Sequence, residues 1–353
     1  MKRIISAILL VIIACTTVSC APAGPQPELI PFVDQLTAEE LVVRIDNLGE
    51  ITADSENELH SLYNYYLNLS SEDKKKVTNY DKFAEAVAQF SEIPDTKDIT
   101  VKVMSYNLKE TKIYSEERRE RIDTVIKQFD ADLIGLQESD GKWIPYIREE
   151  LSDKYYFLTF TPDVPGLEHE ARDILVKKSV FDIVEFQQHA YTFTSDDKLA
   201  KEYDGTVDNA TRILISVLVE RKSDGQRILF VNTHFTAKSD FVQNQQSILS
   251  VKMINDYIRN GIPVLWTGDF NAKIDSVTIQ NILDAGYEPT CYYGERETTY
   301  HGWNYDENFF SEIDFIFVRD NSVIVKDYEV FNEMVNGDYA SDHHPVISNV
   351  YVP

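Results

Sequence analysis

The chain has 353 residues, a formal net charge of −25 and a hydrophobic content of 43%. That length holds one domain of roughly 250 residues beside a smaller one, each able to bury a core. A field of this sign repels nucleic acid and anionic lipid at long range, so an anionic substrate must be held by local cations or a metal, and long duplex DNA becomes a less favoured target.

Residues 1–20 are expected to lie outside the fold. Met1-Lys2-Arg3 is a basic lead, and residues 4–14 form an apolar run of 11 residues, shorter than the ~20 needed to span a bilayer as a helix. The segment reads as a secretory signal, and its loss takes the net charge to −27 by removing Lys2 and Arg3. Ile12-Ile13-Ala14-Cys15 and Thr17-Val18-Ser19-Cys20 are both similar to the bacterial lipobox. Cys20 is favoured by its distance from the start and by the linker after it, Cys15 by its upstream aliphatic residue; an ordinary cleaved signal is the bland alternative. The expectation is an exported, cell-surface or periplasm-facing lipoprotein that touches the membrane by its lipid anchor only. With Cys20 lipidated, Cys291 is the one thiol left in the mature chain, so no intramolecular disulfide forms.

Residues 21–32 are rich in proline and small residues and read as a tether. A small all-helical module is expected over 33–92: Leu41, Val42, Ile45 and Leu48 recur at helical steps, followed by Leu59, Leu62, Tyr63 and Tyr66, then Phe83, Val87 and Phe90. It is similar to small helical modules of bacterial cell-surface proteins and carries no candidate ligand, so chemistry is not expected to depend on it. The boundary falls near Glu92-Ile93-Pro94-Asp95-Thr96, and the main domain runs over 97–353.

From Ile99 strands and helices alternate, with helices expected over 116–129, 243–259 and 277–285 and strands over 174–176, 213–219, 228–231 and 313–318. This is an α/β architecture. The acidic and basic run 116–121 reads as a solvated helix face with local ion pairs. Five apolar runs end in acids, amides or histidines: 101–104 before Ser105-Tyr106-Asn107, 133–136 before Gln137-Glu138, 228–231 before Asn232-Thr233-His234, 262–266 before Thr267-Gly268-Asp269-Phe270-Asn271, and a last stretch ending Ser341-Asp342-His343-His344. Polar groups gathered at strand ends are how an enzyme site is placed on a rigid sheet.

Those motifs, with Ile313-Asp314-Phe315-Ile316, follow the order and rough spacing of the endonuclease/exonuclease/phosphatase superfamily, whose members resemble DNase I, and the resemblance covers about residues 99–352. Thr299-Tyr300-His301-Gly302-Trp303 also resembles a Thr-Phe-His-Gly segment of a bacterial branch of it. The resemblance implies a four-layer α/β/β/α sandwich of two packed mixed sheets, with the site at one edge.

Residue chemistry gives each candidate a role. Asn107 and Glu138 are hard oxygen donors, which favours Mg2+ or Mn2+ over zinc, since zinc would want several His or Cys at ligand spacing; the resemblance adds Asp342 to the metal set. Asp269, ionised at neutral pH, orients and deprotonates a water. If the strand continues through it, Asn271 points to the same side and donates to the phosphoryl group; an Asx turn is the alternative. His234 and His343 are the cations expected on the phosphate, and the resemblance supplies their carboxylate partners, Glu170 for His234 and Asp314 for His343. Arg212 matches an arginine of relatives that could hold a substrate anion, or else forms a structural ion pair. His301 and Trp303 shape the substrate pocket or only pack the loop. Two function classes stand: a metal-dependent phosphoester hydrolase acting by in-line water attack, with an extracellular nuclease as a variant of it, and a catalytically silent surface binding module. No protein partner is inferred.

Overall fold

Val101, Val103, Leu133 and Ile174 are all fully buried, as are Met104, Ile134 and Leu175 on the alternate face of the same strands. A strand apolar on both faces belongs to a sheet covered on both sides, and that sets the layering of the molecule. The computed structural model describes residues 36–52, 55–67, 69–91, 99–109, 115–139, 143–159, 172–191, 212–258, 261–304, 306, 309–319 and 323–352. Cys15, Cys20, the tether, the boundary near 92–96 and Glu170 lie outside the described residues.

In chain order the elements are α1 Ala38–Asp46, α2 Glu56–Leu67, α3 Ser71–Lys74, α4 Tyr80–Ser91, β1 Thr100–Asn107, α5 Glu116–Phe129, β2 Leu133–Gln137, α6 Trp143–Leu151, β3 Tyr155–Thr159, β4 Arg172–Lys177, β5 Phe181–Ala190, β6 Ile213–Arg221 and β7 Arg227–His234. They continue with α7 Asp240–Ile258, β8 Val264–Asp269, α8 Val277–Asp284, β9 Glu288–Pro289, a 3-10 turn Thr290–Tyr293, β10 Asp314–Arg319, β11 Ile324–Val325, β12 Glu329–Val330 and β13 Val346–Tyr351. One sheet has the order β11-β13-β1-β2-β4-β3 with β12 also on β13; the other runs β5-β6-β7-β8-β10-β9. Each is mixed: β1 and β2 are parallel, as are β7 and β8, and their other pairings are antiparallel.

The outer face of the first sheet (Met104, Tyr106, Ile134, Leu136, Leu175) packs on Ile122, Val125 and Ile126 of α5 and on Ile144 and Ile147 of α6. Its inner face joins the core of the second sheet, whose other side is covered by Ile254 of α7 and Ile279 and Ile282 of α8. The result is the expected α/β/β/α sandwich. Ser115 caps α5 by accepting from the Arg118 amide, and Asp130 ends it in the left-handed conformation, so the predicted bounds 116–129 are met.

The helices before β1 share a core with the sandwich. Leu41, Leu62, Tyr63, Phe83 and Val87 cluster with Ile99, Ile324 and Tyr351, the Tyr80 ring lies 4.6 Å from that of Tyr293, and Tyr80 Oη donates to Val325 O at 2.8 Å. Lys74 Nζ reaches the buried Glu288 at 3.0 Å. The stripes seen in sequence therefore close on the edge of the first sheet as well as on one another. Removing one partner of such a pair strands a charge, so Lys74→Met is expected to cost about 3 kcal/mol in urea unfolding of the whole chain; a loss under about 1 kcal/mol would show that the bridge behaves as a solvated surface pair.

Candidate active site

Strand direction explains why distant residues meet. Asn107 ends β1 and Glu138 follows β2; because these strands are parallel, both lie at one end of the first sheet. His234 ends β7 and Asp269 ends β8, again parallel and directly paired. Asp314 opens β10, which runs antiparallel to β8 and pairs Asp314 with Asp269. His343 is held by a bridge to Tyr300 before β13.

Asp269 is the centre. Its Oδ2 accepts from Asn107 Nδ2 at 3.0 Å and lies 3.3 Å from His234 Nε2 and 3.8 Å from His343 Nε2, while Oδ1 accepts from the Asn271 amide at 2.9 Å. Burial raises a carboxyl's pKa, but here the two histidines outweigh it and hold Asp269 at about 2. His343 Nδ1 sits 2.9 Å from Asp314 Oδ2, the pairing expected from the sequence. Burial alone would pull His343 down; Asp314, Asp269 and Asp342 carry it up to about 10. Asp314, pushed up to about 6 by burial with Asp269 adding to it, remains the carboxylate of the pair at neutral pH, with the proton on the imidazole.

Asn271 departs from expectation. The strand ends at Asp269, Asn271 turns into the left-handed region at φ 49°, and its Nδ2 donates to Phe235 O at 3.0 Å. The Asx turn fixes the loop because Asp269 Oδ1 accepts the amide two residues on. Asn271 thus anchors the loop to the end of β7 and retains one amide hydrogen for other use. Arg212 is buried immediately before β6, the strand beside β7.

A cation-seeking group lies alongside. Asn107 Nδ2 is 3.2 Å from Glu138 Oε1, and Lys109 Nζ is 3.8 Å from Glu138 Oε2 and 3.5 Å from Asp342 Oδ2. An ammonium drawn between these two carboxylates shows that the pair attracts positive charge, and its oxygen-only donors suit Mg2+ or Mn2+. Asp269, Asp314 and His343 also have ligand atoms within 4.8 Å of one another and could hold an ion, but there an ion would compete with the His343–Asp314 hydrogen bond. Glu138 and Asp342 fit a hard metal better; Asn107 faces Glu138 through its Nδ2, and its Oδ1, the atom a metal would take, accepts from the Lys109 amide at 2.9 Å.

The supporting residues were mostly invisible as such in the sequence. Between the sheets, Asn232 Oδ1 accepts from Gln137 Nε2 at 2.7 Å and from Thr267 Oγ1 at 3.2 Å, and Asn232 Nδ2 donates to Leu136 O at 2.8 Å. A Cβ on Gly135 would run into Thr267 and Asn232, so only glycine lets the sheets close at this level. Ser341 Oγ donates to Asn107 O at 2.7 Å, tying the Asp342 loop to β1. Arg118, assigned from sequence to a solvated face, is 3% exposed. Its guanidinium lies 4.7 Å from the Trp143 ring and donates to Ala340 O at 2.9 Å, Lys109 O at 3.2 Å and Leu108 O. It braces the two loops that carry the metal candidates. The alternation of opposite charges in 116–121 hid it; its place on the face shared with Ile122 and Val125 was the available signal.

Comparison with known proteins bears on the family and the fold. The model of the Endonuclease/Exonuclease/phosphatase family matches residues 104–343. The fold is similar to that of an endonuclease/exonuclease/phosphatase from Bacteroides vulgatus (TM-score 0.62, 21% identity, 72% of this chain and 99% of that one). It is similar also to a mannosyl-6-phosphatase from Bacteroides thetaiotaomicron (TM-score 0.58, 22% identity, 71% and 99%). A third similar structure is D. rerio TDP2 complexed with single-strand DNA product (TM-score 0.56, 18% identity, 71% and 98%). A search of curated proteins finds no match.

Proposed function

The chain belongs to the endonuclease/exonuclease/phosphatase family, and on that premise we propose that it is a metal-dependent hydrolase of phosphoric esters acting by in-line attack of water. The observation that carries this reading is one buried carboxylate, Asp269, set among His234, the His343–Asp314 pair and Asn107. A silent binding module has no use for so costly an arrangement of buried charge.

In the proposed reaction Asp269 orients a water and accepts its proton as the oxygen attacks phosphorus, and on the opposite side the bond to the leaving oxygen breaks, its electron pair going to an alkoxide that takes a proton from solvent. His234 and protonated His343 donate to the phosphoryl oxygens, where negative charge builds. Asp314 keeps the His343 ring turned and charged. A carboxylate held at about 2 is weakly basic, so it needs an acidified water. Mg2+ or Mn2+ held by Glu138 and Asp342 supplies, when bound, a Lewis acid for that purpose and for the phosphoryl charge.

Two outcomes test the metal. EDTA is expected to abolish hydrolysis and Mg2+ or Mn2+ to restore it. Glu138→Ala is expected to weaken Mn2+ binding by on the order of tenfold or more in calorimetry, with no substrate present. Turnover that persists after rigorous chelation removes the metal from the reaction.

We further propose that the protein is exported and lipid-anchored through Cys20, or Cys15, and that its acidic exterior makes long duplex DNA a poor substrate beside small or surface-bound esters. The charge, −25 overall, supports this because tight backbone binding requires several released counterions. Relative kcat/KM for plasmid DNA and small phosphate esters at matched salt decides it, and a clear advantage for DNA turns the reading to an extracellular nuclease.

A further inference from the structure

A buried carboxyl group that the reaction does not use stands behind the Glu138 loop. Asp173 is fully buried in β4, on the same face as Leu175, which packs into the core under α5 and α6. An apolar side chain would extend the run Ile174, Leu175 and Val176 with no desolvation cost, whereas a buried carboxyl is tolerated only where it is hydrogen-bonded. Its partner is therefore informative.

That partner is Ser139, the residue after Glu138, whose hydroxyl donates to Asp173 Oδ2. Burial pushes the Asp173 carboxyl up to about 7, with Ser139, Thr159 and Arg148 drawing it the other way. A carboxyl oxygen can accept the serine hydroxyl whether the group is ionised or neutral, so the bond persists across neutral pH.

Glu138 requires such a hold. Its φ is 51°, in the left-handed region that a glutamate keeps only when its surroundings over-determine it. On the strand side the chain is fixed, since Gln137 O accepts from the Leu108 amide at 2.9 Å and Gln137 Nε2 donates to Asn232 Oδ1 at 2.7 Å. On the other side Ser139 is fixed by Asp173. Held from both sides, Glu138 keeps its carboxylate turned inward, with Oε1 3.2 Å from Asn107 Nδ2 and Oε2 3.8 Å from Lys109 Nζ.

The anchor has a firm base of its own. Asp173 pairs with Leu136 on one side and with Thr159 on the other, and its carbonyl accepts from Asn232 Nδ2 at 3.1 Å. Its side chain can thus be changed without releasing the strand.

We propose that Asp173 is a positioning residue that acts through Ser139 to hold Glu138 in its left-handed turn, with the carboxylate presented to the metal. The proposal rests on the metal-dependent reading above and deepens it, adding to that centre a residue that touches neither metal nor substrate.

The test is made on the whole chain with Mn2+ alone as the probe. Asp173→Ala and Ser139→Ala are each expected to weaken Mn2+ binding in calorimetry by on the order of tenfold. The double variant should bind no worse than the weaker single one, because one residue works through the other. Asp173→Asn, whose side-chain oxygen can still accept the Ser139 hydroxyl, should recover most of the lost affinity. Glu138 supplies a second readout: its HN–Hα coupling and Cα shift report the left-handed backbone, and both should change in Asp173→Ala and return in Asp173→Asn. A variant that melts earlier with Mn2+ affinity and the Glu138 signals unchanged shows a role in the core alone and overturns the proposal. If Asp173→Ala does not fold, Ser139→Ala is judged by the same two readouts. If the parent binds no Mn2+, the metal reading of Glu138 falls, and unchanged Glu138 signals in the variants then overturn the positioning role as well.

Discussion

Asp269→Asn is expected to lower kcat by on the order of 10³-fold with the sandwich intact, because the substitution keeps the shape of the side chain and removes its ability to accept a proton. The new amide would also turn a donor toward donors: Asn107 Nδ2 is 3.0 Å from Asp269 Oδ2 and His234 Nε2 is 3.3 Å away. The effect should fall on kcat more than on KM, since water activation is used only at the transition state. Stability should respond in a defined direction. The Asp269 carboxyl lies below its ordinary 3.8, at about 2, so the ionised form stabilises the fold above pH 3.8 and that contribution is lost as pH falls through about 2. The variant should therefore melt earlier than the parent at pH 7 and lose that difference in strong acid. Steady-state kinetics beside circular dichroism and thermal melts check both parts, and a folded variant within tenfold of the parent rate would place the base elsewhere.

The second large effect belongs to the pair at the other side of Asp269. His343→Ala should cost on the order of 10²-fold or more in kcat by removing a donor to the phosphoryl oxygens. Asp314→Ala should approach that loss although Asp314 is expected to touch no substrate. The double variant should be little worse than His343→Ala, because the carboxylate works through the imidazole. Additive losses would mean that Asp314 has a separate role, such as holding an ion with Asp269. A titration without substrate separates the two cases. With Asp314 present, His343 is carried to about 10, so its ring signals should not titrate between about pH 6 and pH 9; in Asp314→Ala the midpoint should move down, as burial is then less opposed. A midpoint unchanged by Asp314→Ala would show that the 2.9 Å contact does not set the charge of the ring.

What the sequence by itself determined is the set of strands and the chemistry at their ends. Apolar runs of strand length, each closed by Asn107, Glu138, His234 or Asp269, are legible because burial on both faces demands continuous apolar residues and the polar break marks the sheet edge. Helix 116–129 was legible from a regular stripe, Ile122, Val125, Ile126 and Phe129 on one face; the Ser115 cap was seen only in the structure. Asp314 was supplied by the family resemblance, and the alternation of the strand agreed with it: Phe315 and Phe317 turn to the other face and pack on Phe270.

Other features depend on groups far apart in the chain, and only the tertiary structure decided them. Nothing local marks Asn232 as the link between Gln137 and Thr267, or Gly135 as a point where a side chain would run into the facing sheet. The charge run around Arg118 reads as solvated until α5 lays that residue against Trp143 and the loops at 108–109 and 340. Whether Asn271 continued the strand or turned depended on Phe235 O accepting its amide. The helices before β1 show their own stripes, yet their packing on Tyr293, Ile324 and Tyr351 appears only once the sheet edge is in place. Periodicity reports which face of an element is buried; what that face meets is fixed by the packing of elements that the chain brings together from far apart.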